Sequence, residues 1–285
     1  MVTVVSWNIA MRLQAVEELL AMDADVALLQ EVGPGALDRL RNAGGNVSVG
    51  PQDPWEPWPR EHFDRWPMVV KLSDRVEVEW FSQVLPSTPS EGDDEIAVSN
   101  VGIIAAAKII PLTGGEPFIV VSMYARWFRP HPLTGRTRNI HSDRTAHLIM
   151  SDLAAFIWDT DLSGHRILAA GDLNNIYGAI RGNPLVWYER DRGVFERMGA
   201  LGLEFVGPQH PDGRLASATP VGLRPDTKNV PTYYTTRQSP ATAANQLDYV
   251  FASRGFHRGV HARALNGVDE WGASDHCRIL IEVVG

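Results

Sequence analysis

Leu168-Ala169-Ala170-Gly171-Asp172-Leu173-Asn174-Asn175 is the stretch from which the rest of the chain is read. The apolar run Arg166-Ile167-Leu168-Ala169-Ala170 predicts a buried strand. It stops at Gly171, and an acid and an amide, Asp172 and Asn174, follow at once. In α/β proteins, ligands gather where strands leave a sheet. An acid at a strand end also forms turns and caps, so the stretch alone does not define a site. Its weight comes from other segments built the same way.

Outward from that stretch, the chain alternates strands and helices. Residues 2–7 form an apolar, β-branched strand ending at Asn8. Leu13, Val16, Leu19 and Leu20 have helical spacing within 12–22, and Val26-Ala27-Leu28-Leu29 predicts a second strand ending at Gln30-Glu31. A short helix is expected over 35–43. Strands covered by outer helices follow from this order. Gly44, Gly45, Pro51, Pro54, Pro57 and Pro59 make 44–66 irregular. Two readings stand for Trp55, Trp58 and Trp66 there: pins holding the loop to the body, or a stacking wall for a base or ring. Two strands joined by a turn at Ser73-Asp74 are expected over 67–84, an acidic loop over 85–95, and a long strand or bent pair over 96–110. Phe118 to Met123 predicts a buried strand ending at Tyr124, Ala125 and Arg126.

Between Arg126 and Ser142 there is no acid, while Arg129, His131, Arg136, Arg138 and His141 accumulate beside Trp127 and Phe128. In an acidic chain this is a local reversal of sign. It fits a solvated basic loop, and equally a phosphate-facing patch, since Arg forks match phosphate oxygens. Arg126 then clamps phosphate or pairs with a site carboxylate; His141 contacts a leaving group or faces water. Ser142 is placed as the cap of a helix over 143–158, and Pro184 as the start of one over 184–201. A long Pro/Gly-rich loop over 207–231 precedes strands expected at Thr232–Thr236, Gln246–Phe251, 257–265 and Cys277–Val284.

The 285 residues are 44% hydrophobic and 21% charged, which suits a globular chain with a substantial core. One domain, 1–285, is the simpler reading, because no repeat or linker interrupts it. The net charge of −8 supplies no global field for nucleic acid, so a polyanion must be held by a local patch or a metal. Cys277 is the only cysteine, which excludes an internal disulfide and agrees with a reducing compartment. A strand-like segment follows Met1 directly, and no apolar run nears about 20 residues. A cytoplasmic location is the resulting expectation.

Asn8, Glu31, Tyr124, Arg126, Asp172 and Asn174 sit at the C-terminal ends of their expected strands, whereas Asp248, Asp275 and His276 sit at the starts of theirs. All nine reach one edge if the strands after Asp248 and His276 run antiparallel to the others. Oxygen ligands without a Cys or His cluster suit a hard cation, Mg²⁺ or Mn²⁺. Such an ion bridges to phosphate, and a histidine oriented by an acid, as His276 by Asp248, stabilises or protonates a phosphoryl oxygen.

Six segments in order, Ser6-Trp7-Asn8, Leu29-Gln30-Glu31, Ser122-Met123-Tyr124, Gly171-Asp172-Leu173-Asn174, Gln246-Leu247-Asp248-Tyr249-Val250 and Ser274-Asp275-His276, resemble the endonuclease/exonuclease/phosphatase superfamily with the DNase I-like fold. The resemblance implies an α/β (α+β) four-layer sandwich of two mixed β-sheets flanked by helices, and divalent-metal hydrolysis of phosphoesters. It implies Glu31 as the main metal carboxylate, Asn8 as an amide near metal and phosphate, and Asp275 as an acid at or near the metal. Asp172 matches the acid that orients or deprotonates the attacking water. Asn174 matches the amide on a phosphate oxygen, Asp248 the acid orienting the histidine, and His276 that histidine. Tyr124 matches a position that is His in some members and Tyr in others, those resembling apurinic endonucleases. Those members carry an acid where this chain has Ala10. Nucleic acid and a small-molecule or lipid-head-group phosphoester both stand as substrates, the first favoured by the basic loop and the second by the acidic balance. A non-catalytic binding module is disfavoured, since Glu31, Asp172, Asn174 and His276 are all present.

Overall fold

The structure, a computed structural model, describes residues 1–51, 65–87, 92–99, 103–126, 142–157, 164–181 and 188–284. The first half of the chain gives β1 (Val2–Asn8), α1 (Leu13–Leu20), β2 (Val26–Val32), α2 (Pro34–Arg41), β3 (Ser48–Gly50), β4 (Trp66–Lys71), β5 (Val76–Trp80), β6 (Ser82–Val84) and β7 (Glu95–Ala97). There follow β8 (Ile104–Pro111), β9 (Phe118–Tyr124), α3 (Ser142–Leu153), β10 (Ile167–Asp172), α4 (Tyr188–Ala200), β11 (Leu203–Gly207), β12 (Asp248–Ser253), β13 (Val260–Leu265) and β14 (Arg278–Val283).

Two six-stranded sheets result, ordered β13-β14-β1-β2-β4-β3 and β11-β12-β10-β9-β8-β5. Both are mixed. β1 pairs parallel with β2 but antiparallel with β14, and β10 pairs parallel with β9 but antiparallel with β12. The reversed direction expected for the strands after Asp248 and His276 is therefore present.

Strand alternation divides the apolar residues between two faces of each sheet. Val2, Val4, Val26, Leu28, Ile279 and Ile281 of the first sheet meet Val120, Leu168, Ala170, Val250 and Ala252 of the second in one buried cluster. The opposite parity of the first sheet, Val5, Trp7, Ala27 and Leu29, lies under Ala15, Val16 and Leu19 of α1 and Leu37 and Leu40 of α2. On the second sheet, Val121, Met123, Ala169 and Phe251 lie under Ile149 and Met150 of α3 and Val194 and Met198 of α4. Helix, sheet, sheet and helix make four layers. No helix among the described residues is long and apolar enough to cross a membrane.

Several local expectations are corrected. The segment 44–66 contains β3, paired with β4. Residues 67–84 hold parts of three strands, and β4 and β5 belong to different sheets, so Ser73-Asp74 is a crossing between layers rather than a hairpin. Residues 85–95 run into β7, which pairs in parallel with β6. Thr232–Thr236 is no strand; Tyr233 forms single bridges to Asn245 and His276. β11, a strand not expected from the sequence, pairs with β12. Ser142 is the first residue of α3, and its hydroxyl donates to the Asn174 carbonyl at 2.7 Å instead of capping. Trp66 is buried beneath α1 and α2, as a core pin and not a stacking wall. Trp55, Trp58, Pro184 and the loop 127–141 lie outside the described residues.

Candidate active site

The same alternation that fills the core delivers polar side chains to one rim of the sandwich. Asn8 shares the inward parity of Val2 and Val4; Asp172 shares that of Leu168 and Ala170; Asp248 shares that of Val250 and Ala252; Tyr124 shares that of Phe118 and Val120. Asn8, Tyr124 and Asp172 are the last inward positions of their strands, and Asp248 is the first of its own. Gly171 makes the closest approach possible: at φ +150°, a Cβ there would lie 2.0 Å from the Met123 carbonyl oxygen. Only glycine lets β10 run this tightly beside β9 at that point.

Glu31 breaks the alternation. Counting from Ala27 and Leu29, it belongs on the outer face. A bulge intervenes: Leu29 pairs with Met68 and Val32 with Trp66, so Gln30 and Glu31 together face Pro67. Glu31 has φ +52°, a left-handed conformation that a Glu rarely adopts, and bulges of this kind re-aim side chains at sites. Proline fits opposite, since it has no N–H to offer the interrupted ladder. The turned carboxylate accepts the Tyr124 phenol at 2.8 Å and the Asn8 amide at 3.4 Å on Oε1, and Arg65 Nη1 at 2.9 Å on Oε2.

Asp172 is fully enclosed by donors. Its Oδ2 accepts Asn8 Nδ2 at 3.0 Å and Asn174 Nδ2 at 2.9 Å, while Oδ1 accepts the Asn174 backbone N–H at 2.9 Å. Asn174 sits at φ +51°, which Asn tolerates. Asn8 is aimed by its own backbone: the Ala10 N–H donates to its Oδ1 at 3.0 Å, leaving Nδ2 toward Glu31 and Asp172. Asp248 Oδ2 holds His276 Nδ1 at 2.8 Å, and the other ring nitrogen, Nε2, stands 3.9 Å from Asp172 Oδ2. Thr232 Oγ1 accepts the N–H groups of Leu247 and Asp248, and the Tyr233 ring lies 4.8 Å from that of His276. Ser274 ties the chain before His276 to β1 by donating to the Asn8 carbonyl at 2.6 Å.

The electrostatics follow from this crowding. Burial pushes the Asp172 carboxyl above the usual carboxylate range, against the pull of His276, and the charges of Asp248 and Glu31 push the same way. Burial alone favours neutral His276, but the charge and hydrogen bond of Asp248, with Asp172 and Asp275, raise its pKa. Burial, then Glu31 and Asp172, raise the Tyr124 phenol, which stays a proton donor.

Asn8, Glu31, Tyr124, Asp172, Asn174, Asp248 and His276 are thus brought together. Asp275 adjoins them: its carboxylate accepts the Ser274 hydroxyl at 3.3 Å, and its charge acts on His276. Arg126 lies at the rim, where Nη1 donates to the Arg65 carbonyl at 3.3 Å. His141 lies outside the described residues. Arg65, Thr232 and Tyr233 were not singled out from sequence. Arg65 stands two residues before Pro67, at the mouth of a strand, and offered no more signal than that.

The sequence profile of the Endonuclease/Exonuclease/phosphatase family matches residues 5–276. The chain belongs to this family. No protein of curated function matches the sequence. Among solved structures, an AP endonuclease from Leishmania major is similar at a TM-score of 0.62 and 16% identity, over 100% of this chain and 88% of that one. An AP endonuclease from Archaeoglobus fulgidus is similar at 0.61 and 15% identity, with both chains fully covered. A mannosyl-6-phosphatase from Bacteroides thetaiotaomicron gives 0.56 and 14%, again with both fully covered. At such identities the likeness shows the fold, which is shared by proteins named for different substrates.

The donor chemistry fits a hard divalent cation. Four carboxylates, Glu31, Asp172, Asp248 and Asp275, stand near two basic groups, Arg65 and His276. All the anionic donors are oxygen. Among the described residues no three His, Cys, Asp or Glu side chains form a ready-made metal cage. Glu31 is instead held by protein donors, Arg65 among them.

Proposed function

We propose that this family member is a divalent-metal-dependent phosphoesterase that cleaves nucleic-acid phosphodiesters. One observation carries the reading: a carboxylate fixed by two amides, Asp172 between Asn8 and Asn174, faces a histidine fixed by an acid, His276 on Asp248. Glu31 and Asp275, beside the Asn8 amide, are the groups that would hold Mg²⁺ or Mn²⁺. When bound, such an ion polarises a phosphoryl oxygen and offsets its charge.

The chain's own groups then divide the work. Asp172 orients a water and takes its proton as the water oxygen bonds to phosphorus; the P–O bond to the leaving oxygen breaks, and that oxygen departs as an alcohol with a proton from solvent. The Asn174 amide, already aimed into the site, donates to a non-bridging phosphate oxygen. His276, kept protonated by Asp248, places an N–H on the phosphoryl group as negative charge builds there. Tyr124 remains a neutral phenol and adds a donor beside Glu31.

Nucleic acid is supported as substrate by Arg126 on the rim and by the acid-free basic run that follows it in sequence. A small phosphoester is the second reading. It is favoured by the net charge of −8 and by a sugar-phosphate phosphatase that shares the fold over its whole length. Supercoiled plasmid, single-stranded DNA, RNA, an abasic duplex and a sugar phosphate, each incubated with Mg²⁺, separate the two. Cleaved strands are the expected outcome; turnover of the sugar phosphate with every nucleic acid intact would replace the first reading by the second.

A further inference from the structure

The carboxylate assigned to the cation is already paired. Arg65 Nη1 lies 2.9 Å from Glu31 Oε2, while the other oxygen takes the Tyr124 phenol and the Asn8 amide. The guanidinium charge reaches beyond that bond, since it opposes the upward push on the Tyr124 phenol. It stands where a cation binding Glu31 would have to work.

The fold puts it there. The bulge that turns Glu31 inward sets Gln30 and Glu31 against Pro67, and Arg65 enters the same strand two residues earlier. Its backbone is anchored, with the carbonyl accepting Arg126 Nη1. Its side chain is one-third exposed, so the guanidinium sits on a long stem at the solvent edge of the site. A partly exposed ion pair of this kind is weak enough to exchange, and strong enough to offset an acid that would otherwise stand beside Asp172 uncompensated.

We propose that Arg65 is the resident counter-ion of Glu31, displaced when a divalent cation binds, so that Arg65 sets the cation affinity of the site. The inference rests on Glu31 being the metal carboxylate. Two positive charges compete for one oxygen, and the affinity measured for the cation is reduced by what the arginine contributes. At low cation concentration the pair keeps Glu31 closed; at high concentration the guanidinium is released to the rim.

Calorimetric titration of the full chain with Mn²⁺ alone, without substrate, tests this. Wild type, Arg65→Gln, Arg65→Met and Glu31→Gln are compared, and thermal unfolding with and without Mn²⁺ provides a second readout. Both neutral variants at position 65 are expected to bind Mn²⁺ about three- to fivefold more tightly than wild type, the scale of a partly exposed pair. Their melting temperature is expected to fall without the metal and to rise further than wild type with it. Glu31→Gln is expected to lose the binding. If both position-65 variants bind as wild type does, or more weakly, while Glu31→Gln still loses binding, the counter-ion role is overturned and Glu31 keeps its own. If Glu31→Gln binds as wild type does, the Glu31 assignment fails and takes the Arg65 inference with it.

Discussion

Asp172 accepts three N–H donors within 3.0 Å, yet its burial and its acidic neighbours favour the proton. A carboxylate so held is fixed in direction and receptive to a proton, the two properties a water-orienting base needs. His276 is its counterpart, positioned through Asp248. Removing the imidazole and removing its support therefore have different costs. His276→Gln is expected to lower kcat by about 10²–10⁴-fold, and Asp248→Asn by about 10–100-fold, because the latter leaves a ring that is only less well aimed. Steady-state rates of the two variants check the order; an Asp248→Asn loss as large as that of His276→Gln would give Asp248 a direct part in the chemistry. Asn8, Asp172 and Asp248 were legible from sequence because they stand at the ends or starts of expected strands; the structure shows each continuing the inward parity of its strand. Glu31 was recognisable from its motif, but its direction was not, since a bulge reverses the parity. Arg65 and Tyr233 carried no pattern: a lone Arg before a strand and a Tyr in a Pro-rich segment look alike in solvent and in a site.

At the scale of elements, the ends of β1 and β2 are tied where they begin. Asp25 accepts the Thr3 N–H at 2.8 Å, the Ser73 hydroxyl at 2.7 Å and Arg75 Nε at 2.5 Å, so one carboxylate joins the first strand to the crossing after β4. Burial would raise its pKa, but these donors outweigh burial and hold it below the usual carboxylate range. A lowered folded-state pKa contributes stability above the unfolded value, and that stability is lost as pH falls through the folded one. Asp25→Asn is thus expected to cost about 1–3 kcal/mol at neutral pH, with the difference from wild type closing below about pH 4. Urea midpoints across pH 3–7 measure it; a constant difference would show the carboxylate charge to be irrelevant. Gly171→Ala is expected to destabilise by more than about 2 kcal/mol, because a methyl must displace the Met123 backbone; a melting temperature equal to wild type would mean β10 can move away from β9. The long apolar strands were visible in the sequence, since burial on both faces demands continuous apolar runs. β3, β6 and β7 were not, because three residues are too few to display a period. β11, a five-residue edge strand that begins directly after Gly202, was passed over because α4 ends only three residues before it.

At the scale of the whole molecule, the site depends on both sheets. Asn8 and Glu31 come from the first, Tyr124, Asp172 and Asp248 from the second, and Gln30 bridges them by donating to the Ser122 hydroxyl at 2.9 Å. The single inner cluster beneath them fixes their separation. Leu168, buried in that cluster on β10, leads directly to Asp172. Leu168→Ala is expected to cost about 2–5 kcal/mol and to lower activity with stability, in one unfolding transition. Two separated transitions by calorimetry would show that the sheets fold independently. The antiparallel return of β12 and β14 was legible at this scale because polar groups sat at the starts of those strands and at the ends of the others. Substrate was not, since one fold supports several phosphoester chemistries through loops that vary independently of the core.

Metal-assisted hydrolysis around Asp172 and Glu31 is measured with a chromogenic phosphodiester, bis(p-nitrophenyl) phosphate. Its hydrolysis is followed with Mn²⁺ and with excess chelator, for wild type and a natively folded Asp172→Asn. Turnover that saturates with Mn²⁺, vanishes with chelator and falls by about 10²–10⁴-fold in Asp172→Asn is the expected result. Hydrolysis that survives the chelator would exclude the metal, and an Asp172→Asn rate equal to wild type would exclude Asp172 from the chemistry.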